Sequence, residues 1–370
     1  MLLDKGHEIA VIAPAGSMSA SRSKIDRLDV YGLPSFSVWV YPGIRLPFPM
    51  FQKSRIRKII EKFKPDIIHI QDHFLLCKTV VRLNRKWKIP IVATNHFMPE
   101  NLTTFLRGKK WKEHLENFLW KDFSGVFNQV KMVTTPTQTG VNIIRRKLQV
   151  ETLAISSGIN LGKFNPAHDT HSIRAKYAIP DKPVLLYVGR LDPEKNVEEI
   201  LESAAIALKK IDFCLVIVGK GIRRNALEQL AKQLGISNNV IFTGFVPDAD
   251  LPHIYRLSRC FIIASTAELL SLVTLQAMAS GLPVIAVNAG ALNELVRHEL
   301  NGYLYSQGDL SSMVRYISNI ITQDELYEKM SKRSLEYARQ HDINKTVESF
   351  EKLYEVVTAD GDPINFQGLN

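Results

Sequence analysis

The amino-acid sequence predicts an α/β protein made of two doubly wound, parallel-sheet domains with a cleft between them. Three observations carry this. Short runs rich in Val, Ile and Leu alternate with amphipathic stretches along the chain, as the strands of a parallel sheet alternate with the helices that cover it. The 370 residues, 45% of them hydrophobic and 23% charged, suffice for two cores. Gly, Asn and Pro cluster at residues 158–166, between two sets of apolar runs, where a linker is expected.

In the first half the apolar runs fall at 8–14, 35–41, 66–71, 90–95, 131–137 and 151–156, and in the second at 183–189, 213–219, 239–245, 260–265, 283–287 and 302–305. This divides the chain into Rossmann-like domains at 1–165 and 166–342, followed by an amphipathic helix at 343–358 and a polar tail. The opening, MLLDKGHEIAVIAP, reads as the last turn of a helix, a Gly stop and a strand. A doubly wound domain ordinarily begins with a strand, a glycine-containing turn and a whole helix before this point. Roughly thirty residues, one βα step with its return, are therefore expected ahead of it. Without a central strand, rows of backbone groups go unpaired and the first domain is weakened.

Composition narrows the class. Cys77, Cys214 and Cys260 lie in apolar runs without metal-ligand spacing and read as reduced, buried thiols. No apolar run reaches the ~18 residues of a membrane span, and no signal-peptide pattern opens the chain. The net charge of +10 is uneven: residues 1–165 hold 26 Lys and Arg against 12 Asp and Glu, a net of +14, and the remainder 21 against 25, a net of −4. A basic half points to an anionic surface, with solvated faces as the plain alternative. Residues 52–64, QKSRIRKIIEKFK, set Ile56, Ile59, Ile60 and Phe63 on one side of a basic helix. Residues 107–121 interleave Trp111, Phe118 and Trp120 with Arg107, Lys109, Lys110, Lys112 and Lys121. Basic heads around aromatic bodies suit the headgroup layer of a membrane, while a core-facing stripe is the alternative for each helix alone. No nucleic-acid-binding signature accompanies the charge.

The chemistry is concentrated in three stretches. STAELLSLVTLQAMASGLPVIAVNAG, residues 265–290, reads as a strand end, a loop with Glu268, a helix over 271–280 and a buried strand. Ser271 caps the helix, Gly281 and Pro283 stop it, and its N-terminus lies at the carboxyl edge of the sheet, where free amides favour a phosphate. Glu268 and Gln276, eight residues apart, can face one ligand. In PVLLYVGRLDPEKNV, Gly189 ends a strand and Arg190 and Lys195 bring two cations to the loop after it. Two cations there favour an anionic ligand, most strongly in a dry cleft. In ATNHFMPENL, residues 93–102, His96 falls at a strand end facing the cleft, and His73 is a second candidate for an acceptor pocket. Gly219 and Gly221 do not form a dinucleotide fingerprint, which argues against an NAD enzyme.

GRLDPEKN at 189–196, ATNHFMPENL at 93–102 and QAMASGLPVIA at 276–286 are similar to the retaining group 1, glycogen-synthase-like glycosyltransferases, whose fold is named GT-B. The likeness runs from Gly6 to about Val357 and is greatest to bacterial diacylglycerol glucosyltransferases. It implies a hexose moved from a nucleotide sugar, UDP-glucose, to a diacylglycerol-type lipid by a cytoplasmic protein peripheral to the cytosolic face of a membrane, with no metal or further cofactor. It implies that Glu268 and His96 orient the sugar. Gly189, Arg190 and Lys195, with the amides of Leu270, Ser271, Leu272 and Val273, would hold the diphosphate. Gln276 would hold the ribose, and the backbone of Phe245 and Val246 in IFTGFVP the base.

The chain departs from the family pattern at Gln276, a Glu in relatives, at Leu269 and Leu270 in place of small or polar residues, at Lys220 in place of an acid, and at Ala291 in the segment of Gly290 and Glu294. In relatives the segment ahead of GHE supplies the first strand and a glycine-rich loop, so the resemblance implies an N-terminally truncated chain. Three alternatives follow: a weakened or inactive copy that only binds nucleotide or membrane, a relative using GDP-mannose with a phosphoinositide or soluble acceptor, and a UDP-sugar epimerase.

Overall fold

The computed structural model describes residues 1–37, 45–97, 109–167 and 171–359. The first half contains β1 (Ala10–Pro14), β2 (Ser21–Ile25), β3 (Leu28–Leu33), β4 (Ser35–Ser37), β5 (Arg45–Pro47), α1 (Lys53–Phe63), β6 (Ile68–Ile70), α2 (Leu75–Asn84), β7 (Ile91–Thr94), α3 (Lys109–Phe127), β8 (Met132–Thr135), α4 (Gln138–Ile144) and β9 (Thr152–Ala154). The expected single sheet is instead divided. One sheet has the order β1-β3-β2, another the all-parallel order β6-β7-β8-β9, and β4 and β5 form a separate ribbon.

The physical reason is that β1 and β6 each pair along one edge only among the described residues. Side chains still join the two sheets, since Ile12 and Ile68 pack on one cluster with Leu33, Ile56, Ile60 and Val80. No run was read at β2, which is exposed throughout. Its turn to β3 passes through Asp26 and Arg27 at φ of 46° and 74°, without the Asn-Gly or Asp-Gly pair that marks such a hairpin.

The second half holds α5 (His171–Lys176), β10 (Val184–Val188), α6 (Val197–Ala207), β11 (Cys214–Val218), α7 (Arg224–Gln233), β12 (Val240–Gly244), α8 (Leu251–Leu257), β13 (Cys260–Ile263), α9 (Leu272–Ala279), β14 (Val284–Val287), α10 (Leu292–Leu295), β15 (Gly302–Tyr305), α11 (Leu310–Thr322), α12 (Asp324–Ala338) and α13 (Ile343–Thr358). Its six strands form one parallel sheet, β12-β11-β10-β13-β14-β15. β10 pairs with both β11 and β13 and is buried along its whole length, whereas β1 is only half-buried. The order reverses beside β10, so the loops after β10 and β13 open on one crevice.

The chain crosses between lobes where Ile159 bridges Asp342. α13 then packs on the first lobe, with Leu353 fully buried beside Val92, Met132 and Ile155. His69 anchors it: Nδ1 is 2.6 Å from the Tyr354 hydroxyl and Nε2 is 2.7 Å from Thr94 Oγ1. Burial of the ring pushes its pKa down to about 4.

The basic stretches divide. In α1, Ile56, Ile59 and Ile60 are buried, so that stripe faces the core, not a membrane. In α3, Trp120 is buried with Phe123, while Trp111 and Phe118 are 77% and 62% exposed. Arg107, residues 98–102 of the ATNHFMPENL string and 38–41 of the run at 35–41 lie outside the described residues. All three cysteines are free and buried. No described helix is long and apolar enough to cross a membrane.

Candidate active site

Two loops of the second lobe meet at the carboxyl edge of its sheet. The first leaves β10 through Gly189. Here the backbones nearly touch: Gly189 N donates to Val218 O at 3.0 Å, and a Cβ on Gly219, at φ of 137°, would lie 1.8 Å from Gly189 O. Only glycine fits at that crossing. The loop ends in a short helical turn, and Asn196 closes it at φ of 48° while its amide donates to Ala264 O at 3.0 Å. That bond ties the first loop to the end of β13, where the second begins. Lys195 is thereby aimed across the gap, its Nζ 2.7 Å from Glu268 Oε1 and 3.3 Å from Ser265 Oγ.

Arg190 lies on the other flank, paired with Asp192 and, at 2.6 Å, with Glu194 Oε1. The buried Tyr187 donates its hydroxyl to Arg190 O at 2.8 Å. Burial, helped by Glu268 and Glu194, pushes its pKa well up. The Tyr187 hydroxyl therefore remains a neutral donor amid charged groups. A cavity of about 600 Å³ adjoins this loop, lined by Pro193, Asn196, Glu198, Glu199, Glu202 and Arg223. Its three carboxylates disfavour an anion there.

The second loop leads into α9. Ser271 is the N-cap, its Oγ accepting from Thr274 N at 3.3 Å and from Thr274 Oγ1 at 2.8 Å. That leaves the first-turn amides of Leu272 and Val273, which have no intrahelical acceptor, at the crevice. Leu269 is buried and Leu270 packs against the core, so neither bulky side chain is exposed. Gln276 lies one turn inside α9, held by the buried Tyr255, whose hydroxyl lies 2.9 Å from Gln276 Oε1 and 3.1 Å from Val273 O. With its oxygen engaged, the amide has its N–H groups left to donate, where a carboxylate would offer acceptors.

At the end of β12, Phe245 is exposed with Lys220 Nζ 5.8 Å from its ring centre, while Val246 is buried. Gly219 N donates to Gly244 O at 2.9 Å, which places this segment beside the first loop.

Residues of the first lobe contribute less directly. His96 stands exposed just past β7, with Nε2 3.0 Å from Gln71 Oε1. Among the described residues it bonds to no side chain of the second lobe. Neighbouring Asn95 is buried with its Nδ2 outside any hydrogen bond, and both ring nitrogens of the buried His73 lack a hydrogen-bond partner, Nε2 standing 4.0 Å from Asp122 Oδ2. Three participants were not selected from sequence: Ser265, Tyr187 and Tyr255 sit in ordinary apolar strand or helix patterns, with no spacing signal. Thr137 was also missed; its Oγ1 reaches across to Leu269 O at 2.8 Å.

Residues 169–337 match the family model described as glycosyl transferases group 1, and residues 1–163 that of glycosyltransferase family 4. The alpha-monoglucosyldiacylglycerol synthase of Streptococcus pneumoniae is 29% identical over 331 residues, 87% of this chain and 74% of that one. The structure of sucrose-phosphate synthase from Thermosynechococcus elongatus superimposes with a TM-score of 0.81 at 20% identity, over 97% of this chain and 91% of that one. Anabaena HepE in complex with UDP-glucose does so with 0.72 at 19% identity, over 84% of each chain. At these identities the structural likeness is one of fold. Two family models that together span nearly the whole chain, the two parallel-sheet lobes and the loops meeting between them place this protein among the group 1 glycosyltransferases of GT-B fold.

Proposed function

We propose that this glycosyltransferase moves a hexose, glucose from UDP-glucose, to a diacylglycerol-type lipid at a membrane surface, with retention at the anomeric carbon. The observation that carries the donor half is Lys195 held against Glu268 at the mouth of α9. A diphosphate entering there meets Lys195 and the amides of Leu272 and Val273, and the charge that develops on it as the glycosidic bond breaks is taken up by preorganised donors. Arg190 reaches the same anion by exchanging a carboxylate partner for a phosphate. Glu268, released from Lys195, accepts sugar hydroxyls. Gln276 donates to the ribose oxygens, and the segment of Phe245 and Val246 flanks the base. His96, on the opposite wall, orients the sugar from the acceptor side. The roles assigned here use no metal; among the described residues no group of three His, Cys, Asp or Glu is arranged to hold one.

The acceptor half rests on the sequence likeness to a diacylglycerol-modifying enzyme and on the outer face of α3. Trp111 and Phe118 are seven residues apart, on one side of that helix, with the basic residues Lys112 and Lys121 close by in sequence. Exposed aromatic bodies with cationic neighbours fit the interface of an anionic bilayer. The test is UDP release from UDP-glucose in the presence of vesicles with and without diacylglycerol, with the lipid product identified by mass. Release that requires diacylglycerol supports the reading. UDP release that is indifferent to diacylglycerol excludes it, and binding of UDP without turnover on any lipid marks a copy that retains only the nucleotide site.

A further inference from the structure

We propose that Glu294 is a positioning residue for the transfer, acting as a latch that holds the two lobes closed over the donor and reports on the Glu268 loop. The proposal rests on the donor reading above. Glu294 lies on the four-residue helix α10 of the second lobe, yet its carboxylate bonds to the first lobe. Oε2 accepts from Gln138 N at 3.0 Å and Oε1 from Thr139 N. These are the first two amides of α4, which have no acceptor within their own helix. Thr137, the N-cap of α4, accepts from Gly140 N at 3.1 Å and gives its own proton to Leu269 O at 2.8 Å. One turn of the first lobe therefore grips the second lobe at two points, the Glu294 carboxylate and the backbone just after Glu268.

The two grips are mechanically joined. Ala291 N donates to Glu268 O at 3.0 Å. Gly290, at φ of 55°, lets the turn lie flat on that loop, since a Cβ there would be 2.8 Å from Glu268 O. Glu268 in turn holds Lys195. An unbroken chain of bonds thus runs from the amides of α4 through Glu294, Ala291 and Glu268 to Lys195, the cation assigned to the diphosphate. A displacement of Glu268 when Lys195 turns to phosphate shifts the footing of Glu294, and release of Glu294 frees the loop that carries Glu268. Glu294 is outside both cores, so its contact joins two bodies rather than completing one, as expected of an element that sets closure.

The experiment compares Glu294→Ala, Glu294→Gln, Gln138→Pro and the Glu294→Ala/Gln138→Pro double variant with the parent chain. Gln138 is the first residue of α4, after a Thr137 in extended conformation, so Pro is tolerated there and removes one latch donor, together with an exposed side-chain bond to Asn142 within the same helix. Small-angle scattering with and without UDP reads closure, titration with UDP reads the donor pocket, and kcat reads the transfer. The expected result is a larger radius of gyration in Glu294→Ala and Gln138→Pro, a UDP affinity within about 3-fold of the parent, and kcat lower by about 10- to 100-fold. Glu294→Gln, keeping one acceptor oxygen, falls between. The double variant is no worse than Glu294→Ala alone, because Gln138→Pro cuts one of the two bonds that Glu294→Ala already removes. An unchanged radius in Glu294→Ala, or losses that multiply in the double variant, overturns the latch. If the parent releases no UDP on any lipid, the acceptor reading fails, while the scattering and the UDP titration still decide the latch.

Discussion

Lys195 and Glu268 form a mutual pair, and substitutions at the two positions are expected to move nucleotide affinity in opposite directions. The two side chains are 15% and 14% exposed and 2.7 Å apart, so water screens the bond only weakly. A hydrogen bond to a charged group contributes about 1.5–3 kcal/mol. Lys195→Met removes that interaction with the diphosphate, which at about 1.4 kcal/mol per tenfold weakens UDP binding by roughly 10- to 100-fold. Glu268→Gln leaves Lys195 in place but substitutes a neutral acceptor, about half as strong, and takes a carboxylate away from the anion. UDP binding then tightens by roughly 3- to 10-fold, while transfer falls in both variants. Calorimetric titration with UDP at low and high salt reads the affinity, and the melting temperature checks that each variant is folded. A shift in the same direction for both, or Lys195→Met within twofold of the parent, refutes the assignment of Lys195 to the diphosphate.

Further outcomes follow from the packing of α13 and α3. His69 has its pKa lowered to about 4 from an ordinary 6.5, so the unfolded chain binds the extra proton first as pH falls. The contribution of His69 is complete above pH 6.5 and is lost, by roughly 3 kcal/mol, between 6.5 and 4; urea unfolding across this range should show a decline that His69→Phe makes shallower. Leu353→Ala empties a fully buried position against Val92, Met132 and Ile155 and should cost about 2–5 kcal/mol in the same assay. Trp111→Ser with Phe118→Ser should leave the melting temperature within a degree or two, since both side chains are exposed. The pair should weaken co-sedimentation with anionic vesicles by more than tenfold, as two apolar side chains, each contributing about 1.5–3 kcal/mol when buried, no longer enter the interface.

Strand and helix type in the second lobe were legible because local and tertiary preferences agree there. Runs such as VLLYV and CLVIV are buried on both faces, and a buried parallel strand needs little beyond being apolar. Two of the three candidate stretches were legible for a similar reason: Gly189, Ser271 and Gly281 are each required by local backbone or capping geometry. Where a residue acts through a distant partner, pattern is silent. Nothing in the neighbourhood of Thr137 or Glu294 announces the partners they find across the cleft, Leu269 O and the first amides of α4, and the apolar stripe of α1 reads equally as membrane face or core.

Amino-acid order alone determined the class of fold, the position of its loops and the residue types that cap and cross at them, because these depend on hydrophobic period and on backbone conformations only a few residues adopt. Tertiary structure decided which cations already hold carboxylates, which way Gln276 presents its amide, how the first-lobe strands divide between sheets and which aromatics of α3 stay outside. Each of those depends on groups tens or hundreds of residues apart, and their distances are set by how whole layers pack rather than by any spacing along the chain.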